Sequence, residues 1–282
     1  MTDKELKISY ADVCQNLADR KLKPAFELLG KMIGENLLEI YRDQWRNLEQ
    51  TYHYMLKYTI EGIQDPERQK IYRKLIISVY ELADKIYHSA RMKISSSMEY
   101  ERKRISHLSK PIDFKNYLSQ LEDFYIHEEL ISLVNDVEIK TESKTEDARI
   151  HQQNMVALFY HFWLKDEYYE DEATFLQQLF NSGLIRLSYK TFMVSAVNLS
   201  LLRHFDEKKF NILFDLYNLS EPEINQRALV SLLLNLYKYD PRIQFYPAIN
   251  GRLQIINEDH GFKQYLERVI IQLIRSRETE KI

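Results

Sequence analysis

"INQRALVSLLLNLYKYD" (residues 224–240) and "IHQQNMVALFYHFWLKD" (residues 150–166) are stretches of equal length that align without a gap. Ile, Gln, Val and Leu recur at matching places, and both stretches close with Asp. A third stretch, "KTFMVSAVNLSLLRHFD" (residues 190–206), lies between them and closes with Asp as well. Apolar residues three and four positions apart are typical of one face of an α-helix. The chain therefore repeats a helical unit.

The closing aspartates of these stretches, Asp166, Asp206 and Asp240, are 40 and 34 residues apart, and each precedes another helical stretch. An aspartate can cap the N-terminus of the next helix, and Glu207 and Pro241 suit the first helical position. A period of this length with two helices per unit is typical of α-solenoids, whose helix pairs must stack to bury their apolar faces. The sequence therefore predicts an all-α fold, a right-handed superhelix of antiparallel helix pairs.

The composition supports this fold class and narrows the function. Gly and Pro occur only six times each, whereas strand-rich folds need many turn residues. Apolar residues make up 45% and charged residues 29% of the chain, and the single Cys14 excludes a disulfide framework within one chain and a cysteine metal cluster. The polar first residues and the lack of a long apolar run favour a cytoplasmic protein without a membrane span.

The pattern also divides the chain. The apolar spacing of residues 25–62 predicts one continuous helix, and Asp65 is predicted to cap the next one. "EIKTESKTEDAR" (residues 138–149) has one large apolar residue and predicts a loop or domain boundary. We therefore expect an N-terminal helical region at residues 1–137 and helical repeats at residues 150–282.

One segment, "EPEINQRALVSLLLNL" (residues 221–236), resembles the second helix of a HEAT repeat. The matching residues are Glu221, Pro222, Glu223, Ile224, Ala228 and Leu232. Asn225 stands where the family favours Arg, which puts the usual salt bridge between repeats in doubt. The resemblance covers roughly residues 144–275, and residues 10–33 are similar to a degenerate tetratricopeptide hairpin. The resemblance to HEAT repeats implies stacked helix pairs that serve as an interaction scaffold.

No catalytic, cofactor or metal signature is predicted. Gly30 and Gly34 lie in a helical pattern and do not form a phosphate loop, and His127 has Ile131 where a zinc helix needs its second histidine. The acidic stretch "DEYYEDE" (residues 166–172) lacks the glycine of a calcium loop, so it is predicted to form the acidic first turn of a helix.

Charge is unevenly distributed, since residues 68–110 hold eleven Lys or Arg against four acids. Such a segment is able to contact nucleic-acid phosphates or an acidic protein, although the weakly acidic whole chain disfavours a dedicated nucleic-acid binder. Its densest candidates are Arg91, Lys93, Arg102, Lys103 and Arg104.

Three functions follow as hypotheses. The leading one is a non-enzymatic helical-repeat scaffold that binds a protein or peptide on a concave, tyrosine-rich face. The alternatives are a nucleic-acid-associated protein that uses residues 68–110, and an unrecognised all-α enzyme with a histidine and carboxylate pocket. The candidate partner-binding residues are Tyr160, His161, His204, Arg227, Asn235 and Lys238.

Two further expectations concern burial. The aligned apolar residues are predicted to be buried: Leu158, Phe159, Phe162, Leu199, Leu202, Leu232, Leu233 and Leu236. The last helix, within residues 260–282, has apolar residues in too many directions for a one-sided terminal helix. We therefore expect Ile271 and Ile274 to be covered by a second copy or by further repeats, or else to be buried against the N-terminal half.

Overall fold

The computed structural model describes residues 1–61, 67–94, 112–133, 141–258 and 260–279. Of the described residues, 86% are α-helical and none forms a strand. The predicted all-α class is confirmed. None of the helices in these ranges combines the length and hydropathy of a transmembrane span.

The chain forms two compact units, and the first comprises Met1–Ser106 together with Asp240–Tyr246. Its helices are α1 (Asp3–Ala18), α2 (Leu22–Glu35), a 3₁₀ turn (Glu39–Tyr41), α3 (Arg42–Ile60) and α4 (Arg68–Ile94). In this unit α1 packs on α2 and α4, and α3 packs on the same two helices.

The prediction of one continuous helix over residues 25–62 is wrong, because α2 ends at Glu35 and α3 begins only at Arg42. Leu37 adopts a left-handed conformation with φ of 53° and directs its side chain outward, 77% exposed. Its carbonyl accepts a hydrogen bond from Nζ of Lys93 at 2.9 Å, which helps to satisfy the end of α2. The predicted helix start at Asp65 lies outside the described residues.

The second unit comprises His107–Tyr239 and Pro247–Ile282. Its helices are α5 (Phe114–Leu133), α6 (Thr141–Leu164), α7 (Glu170–Asn181), α8 (Leu187–Arg203), α9 (Glu207–Tyr217), α10 (Pro222–Ile243), α11 (Pro247–Glu258) and α12 (His260–Thr279). Four contacts join a helix to the second one along the chain, since α5 packs on α7, α6 on α8, α7 on α9 and α9 on α11. In addition, α8 packs on α9 and α11 on α12, which follow each other directly.

Side chains one period downstream bind the carbonyls at the ends of α6 and α8. The hydroxyl of Ser200 donates to the carbonyl of Lys165 at 2.9 Å, and that of Tyr239 donates to the carbonyl of Leu201 at 2.8 Å. These partners are 35 and 38 residues apart in the chain. Because the last carbonyls of a helix have no partner within that helix, each such bond ties one helix to the next of its kind.

The predicted aspartate caps are confirmed at one position of three. Asp206 caps α9 and accepts a backbone N–H at 2.9 Å. The prediction is wrong for Asp166, since Tyr169 is the N-cap of α7 and Asp166 forms an ion pair with an arginine of α8. It is also wrong for Asp240, because α10 continues through Pro241.

The predicted apolar stripe is correct only in part. Leu158, Phe162 and Leu232 are buried, whereas Leu199 is 37% exposed and that prediction is wrong. The remaining four residues, Phe159, Leu202, Leu233 and Leu236, are half-buried. The buried face of α8 instead includes Met193, Val197 and Ser200, so the face that contacts the core is rotated from the aligned one.

Residues 141–149, predicted as loop or boundary, form the first turns of α6, and residues 138–140 lie outside the described ranges. The predicted division into an N-terminal region at residues 1–137 and helical repeats at residues 150–282 stays a prediction.

The predicted acidic first turn of α7 is confirmed, since it consists of Glu170, Asp171 and Glu172. On α12, Ile271 and Ile274 are 40% and 55% exposed, so the alternative of burial within the monomer is wrong. Their coverage by a second copy or by further repeats stays a prediction.

A candidate anion-binding cleft

Two of the six predicted partner-binding residues are buried. His204 is 5% exposed, and its ring Nδ1 lies 2.9 Å from the carbonyl of Phe205. Asn235 is fully buried, and its amide donates to the side-chain oxygen of Asn198 at 2.8 Å and to the carbonyl of Ser231 at 2.8 Å. Asn235 thus links α10 to α8, whereas His204 contacts the residue that follows it, and both side chains are too buried to reach a partner.

The other four are accessible but already engaged. Arg227 donates to the hydroxyl of Ser195 at 3.3 Å, and Lys238 binds the carbonyl of Leu202. The ring of Tyr160 stacks on Trp163 with centroids 5.7 Å apart.

His161 serves a buried carboxylate of α7. Its Nε2 lies 2.8 Å from Oε1 of Glu172, which is 2% exposed and also contacts Nζ of Lys165 at 3.2 Å. Burial by itself raises the pKa of Glu172, but hydrogen bonds from His161, the backbone of Tyr169 and Lys165 bring the pKa below its ordinary value. This cluster anchors the start of α7.

The predicted basic patch is also used internally where it is described. Arg91 lies 3.4 Å from the carboxylate of Asp3 and over the ring of Tyr87, and Lys93 caps the end of α2. Arg102, Lys103 and Arg104 lie outside the described residues.

The first unit contains a cleft of about 400 Å³ between α3 and α4. The residues that line it come from the end of α1, both helices and the 240–246 segment. They are Arg20, Tyr52, Met55, Leu56, Thr59, Arg68, Gln69, Tyr72, Arg73, Ile76, Gln244 and Phe245.

Among the described residues that line this cleft, all the charged side chains are those of arginines, Arg20, Arg68 and Arg73, and all three are exposed. Arg68 contacts the hydroxyl of Thr59 at 3.3 Å. Within the part of the chain that the structure describes, neither Arg20 nor Arg73 has an ion-pair partner. In the described part of the first unit, three guanidinium groups thus present positive charge to this cleft without an ion pair.

Beneath the arginines the cleft is apolar and aromatic. Ile76 is fully buried and Phe245 is 3% exposed, while Tyr52 and Tyr72 are half-buried. Burial raises the pKa of Tyr72, so this hydroxyl stays protonated and donates at 2.9 Å to the carbonyl of Arg20. The cleft therefore combines a cationic rim with a ring-lined floor.

Arg20 occupies a strained backbone position. Its φ is 60°, and it follows Asp19, the C-cap of α1. The N–H of Lys21 bonds to the carbonyl of Asn16 at 2.7 Å, and the N–H of Arg20 bonds to that of Leu17 at 3.0 Å. This is the Schellman arrangement, in which the left-handed residue is usually glycine. An arginine held there is a reason to look for function at that side chain.

A buried ion pair fixes the segment that supplies Gln244 and Phe245. Arg242 and Asp84 are 2.6 Å apart, with side chains 4% and 3% exposed. Tyr10 also donates to Asp84, and the Arg242 guanidinium lies 4.7 Å from the ring centre of Tyr80. The floor of the cleft thus depends on this pair.

Two other clefts lie in the second unit. One of about 300 Å³ is lined by His127 and His151 with Asp123 and Asp147 among its residues. Burial lowers the pKa of His151, whose ring stacks on Phe124 at 3.9 Å. In the described residues no group of three or more His, Cys, Asp or Glu is arranged to hold a metal ion.

The other cleft, of about 390 Å³, carries both Glu170 and Lys208, which pair at 3.4 Å. Neither cleft places a serine or cysteine beside a histidine, and neither contains any of the six predicted residues.

Arg68 and Arg73 belong to the basic segment 68–110, whereas Arg20, Tyr52 and Tyr72 were not among the predicted site residues. The sequence feature that could have indicated Arg20 is its position at the end of a helix, where glycine is usual. Comparisons of this chain with protein-family models, with curated proteins and with solved structures found no match.

Proposed function

We propose that this protein is a non-enzymatic helical-repeat binding protein that holds an anionic segment of a partner protein in the cleft of the first unit. The observation that carries the proposal is the set of three arginines around a cleft that none of the described acidic residues lines. Charge complementarity steers partners and selects among them. The aromatic floor adds the apolar contact area that peptide recognition uses.

The α-solenoid remains part of this proposal. The contacts between alternate helices and the bonds spaced by one period support stacked helix pairs in the second unit. The HEAT-like segment is compatible with it, and Asn225 donates to the carbonyl of Tyr217 where the family would form a salt bridge. In this proposal the repeats of the second unit serve as scaffold.

Nucleic acid is the competing ligand, because Arg68 and Arg73 belong to the basic segment. The described helix of that segment uses Arg91 and Lys93 for internal contacts, which removes them from a continuous phosphate-binding row. The confined shape of the cleft also favours a side chain over a duplex backbone.

The test is fluorescence anisotropy with a labelled peptide that carries glutamates and one phosphotyrosine, called the anionic peptide below. A neutral peptide with Gln and Tyr at those positions and a DNA duplex serve as comparison probes. We expect the anionic peptide to bind, the neutral one to fail, and Arg73→Gln to weaken binding about tenfold, roughly the value of one charge-assisted contact.

Arg46→Gln is the matched control, since Arg46 is an exposed arginine of α3 outside the cleft. Equal losses in Arg46→Gln and Arg73→Gln would show that general charge and not the cleft binds the peptide. Arginine-dependent binding of the duplex that exceeds binding of the peptide would favour the nucleic-acid function instead.

A further inference from the structure

We propose that the anion that enters this cleft is a phosphate carried on an aromatic ring, the side chain of a phosphorylated tyrosine. This inference rests on the proposed function, because it specifies the chemical group through which the partner binds. Three properties of the cleft support it: the type of cation at the rim, the chemistry of the floor and the size of the space.

The rim is made of arginines, and none of the described lysines lines the cleft. A guanidinium group donates two parallel hydrogen bonds to a phosphate or carboxylate, whereas an ammonium group acts as a point charge. A phosphate offers three acceptor oxygens and carries about −1.5 to −2 charge at pH 7. Arg20, Arg68 and Arg73 together therefore match a phosphate better than a carboxylate.

The apolar and aromatic floor of the cleft favours an aromatic ring between that phosphate and the backbone of the partner. Ile76 and Phe245 are buried beneath the exposed arginines, and Tyr52 and Tyr72 stand half-buried beside them. The short side chain of phosphoserine or aspartate offers such an apolar floor little area to contact. A phenyl ring offers more and is able to pack against tyrosine rings, as aromatic pairs prefer.

The space is suited to a side chain and not to a helix. A volume of about 400 Å³ lies near the lower end of the roughly 300–1,000 Å³ found for small-ligand pockets. A helix with its side chains is about 10–12 Å wide and does not fit such a cleft. The phosphotyrosine is thus expected to be presented by an extended or loop segment.

The experiment compares short labelled peptides that are identical except for one central residue, which is tyrosine, phosphotyrosine, phosphoserine or glutamate. We expect the phosphotyrosine peptide to bind about tenfold more tightly than the phosphoserine and glutamate peptides, and unmodified tyrosine to bind least. Phenyl phosphate is expected to displace it at lower concentration than inorganic phosphate does.

Two variants separate the ring from the charge. Leu56→Gln changes an exposed apolar residue of the cleft and is expected to reduce the preference for phosphotyrosine over phosphoserine. Arg73→Gln should weaken all the anionic peptides together. Leu37→Gly, at a site outside the cleft, should leave both properties unchanged.

The outcomes distinguish this inference from the function beneath it. Equal, Arg73-dependent binding of phosphoserine and phosphotyrosine peptides would overturn the inference and leave the proposed function standing. Stronger competition by adenosine monophosphate than by phenyl phosphate would overturn it in favour of a nucleotide ligand. Absence of Arg73-dependent binding by any anionic peptide would overturn both.

Discussion

Arg20→Gly is expected to make the protein more stable while it weakens binding of the anionic peptide. The substitution relieves a left-handed residue with φ of 60°. It keeps the backbone hydrogen bonds of the helix end, including the one that the Arg20 carbonyl accepts from Tyr72 at 2.9 Å. The side chain that it removes is exposed and has no ion pair in the described part of the molecule.

The magnitude follows from two opposing effects at this position. A non-glycine residue in the left-handed region costs about 1–2 kcal/mol. A glycine loses more chain entropy on folding, which offsets roughly 0.5–1 kcal/mol of the stabilisation from relieved strain. We therefore expect a net stabilisation of about 0.5–1 kcal/mol, measured by urea unfolding with the slope unchanged.

Leu37→Gly provides a matched control. Leu37 has φ of 53°, follows the C-cap of α2 and is 77% exposed, but it lies outside the cleft. It should be stabilised by a similar amount with no change in the Kd of the anionic peptide. Destabilisation of both variants would refute the strain argument. A stabilised Arg20→Gly variant with unchanged Kd would refute a role for Arg20 in the cleft.

Three further predictions concern the buried ion pair, the buried face of the helices and a buried lysine. Arg242→Met should cost about 3–5 kcal/mol, because it leaves the Asp84 carboxylate buried and unpaired, and adding Asp84→Leu should recover most of the loss in urea unfolding; a double variant no more stable than the single one would argue against the ion pair. Leu232→Ala should cost about 2–5 kcal/mol and Leu199→Ala no more than about 0.5 kcal/mol, so equal losses would contradict the observed helix face. Burial lowers the pKa of Lys209 to about 8 from 10.5, so the unfolded chain binds more protons between these values. The stability of the wild type relative to Lys209→Met should rise from pH 8 to pH 10, and a constant difference would contradict a lowered pKa.

The helical class follows from the sequence because the spacing of apolar residues and the scarcity of Gly and Pro report backbone properties directly. The helix ends were harder to predict, because two of them break the usual chemistry. Arg20 and Leu37 stand where glycine normally ends a helix, so the spacing of residues 25–62 predicted a helix across the second break.

Polar residues within the repeats were misjudged for a related reason. Asn235 and His204 were predicted to face a partner because polar groups usually lie outside. Both are buried with polar partners. Asn235 bonds to Asn198, which only the tertiary structure brings close, and the ring of His204 contacts the carbonyl of the next residue, Phe205.

The cleft was not predictable from sequence patterns. The residues that line it include Arg20, at the end of α1, and Phe245, in the Asp240–Tyr246 segment. In the sequence this segment lies between two stretches of the second unit, and no periodicity relates it to α1. The basic segment 68–110 includes two of the three arginines of the cleft, Arg68 and Arg73, and its role in binding stays a prediction.

Methyl NMR of the protein during titration with the anionic peptide tests the central claim most directly. Met55 lines the cleft, whereas Met193 is buried in the second unit. We predict a saturable shift of the Met55 methyl signal with no change at Met193, and loss of that shift in Arg73→Gln. A saturable shift in the second unit with Met55 unchanged would contradict binding in the cleft and would place the binding site in the helical repeats.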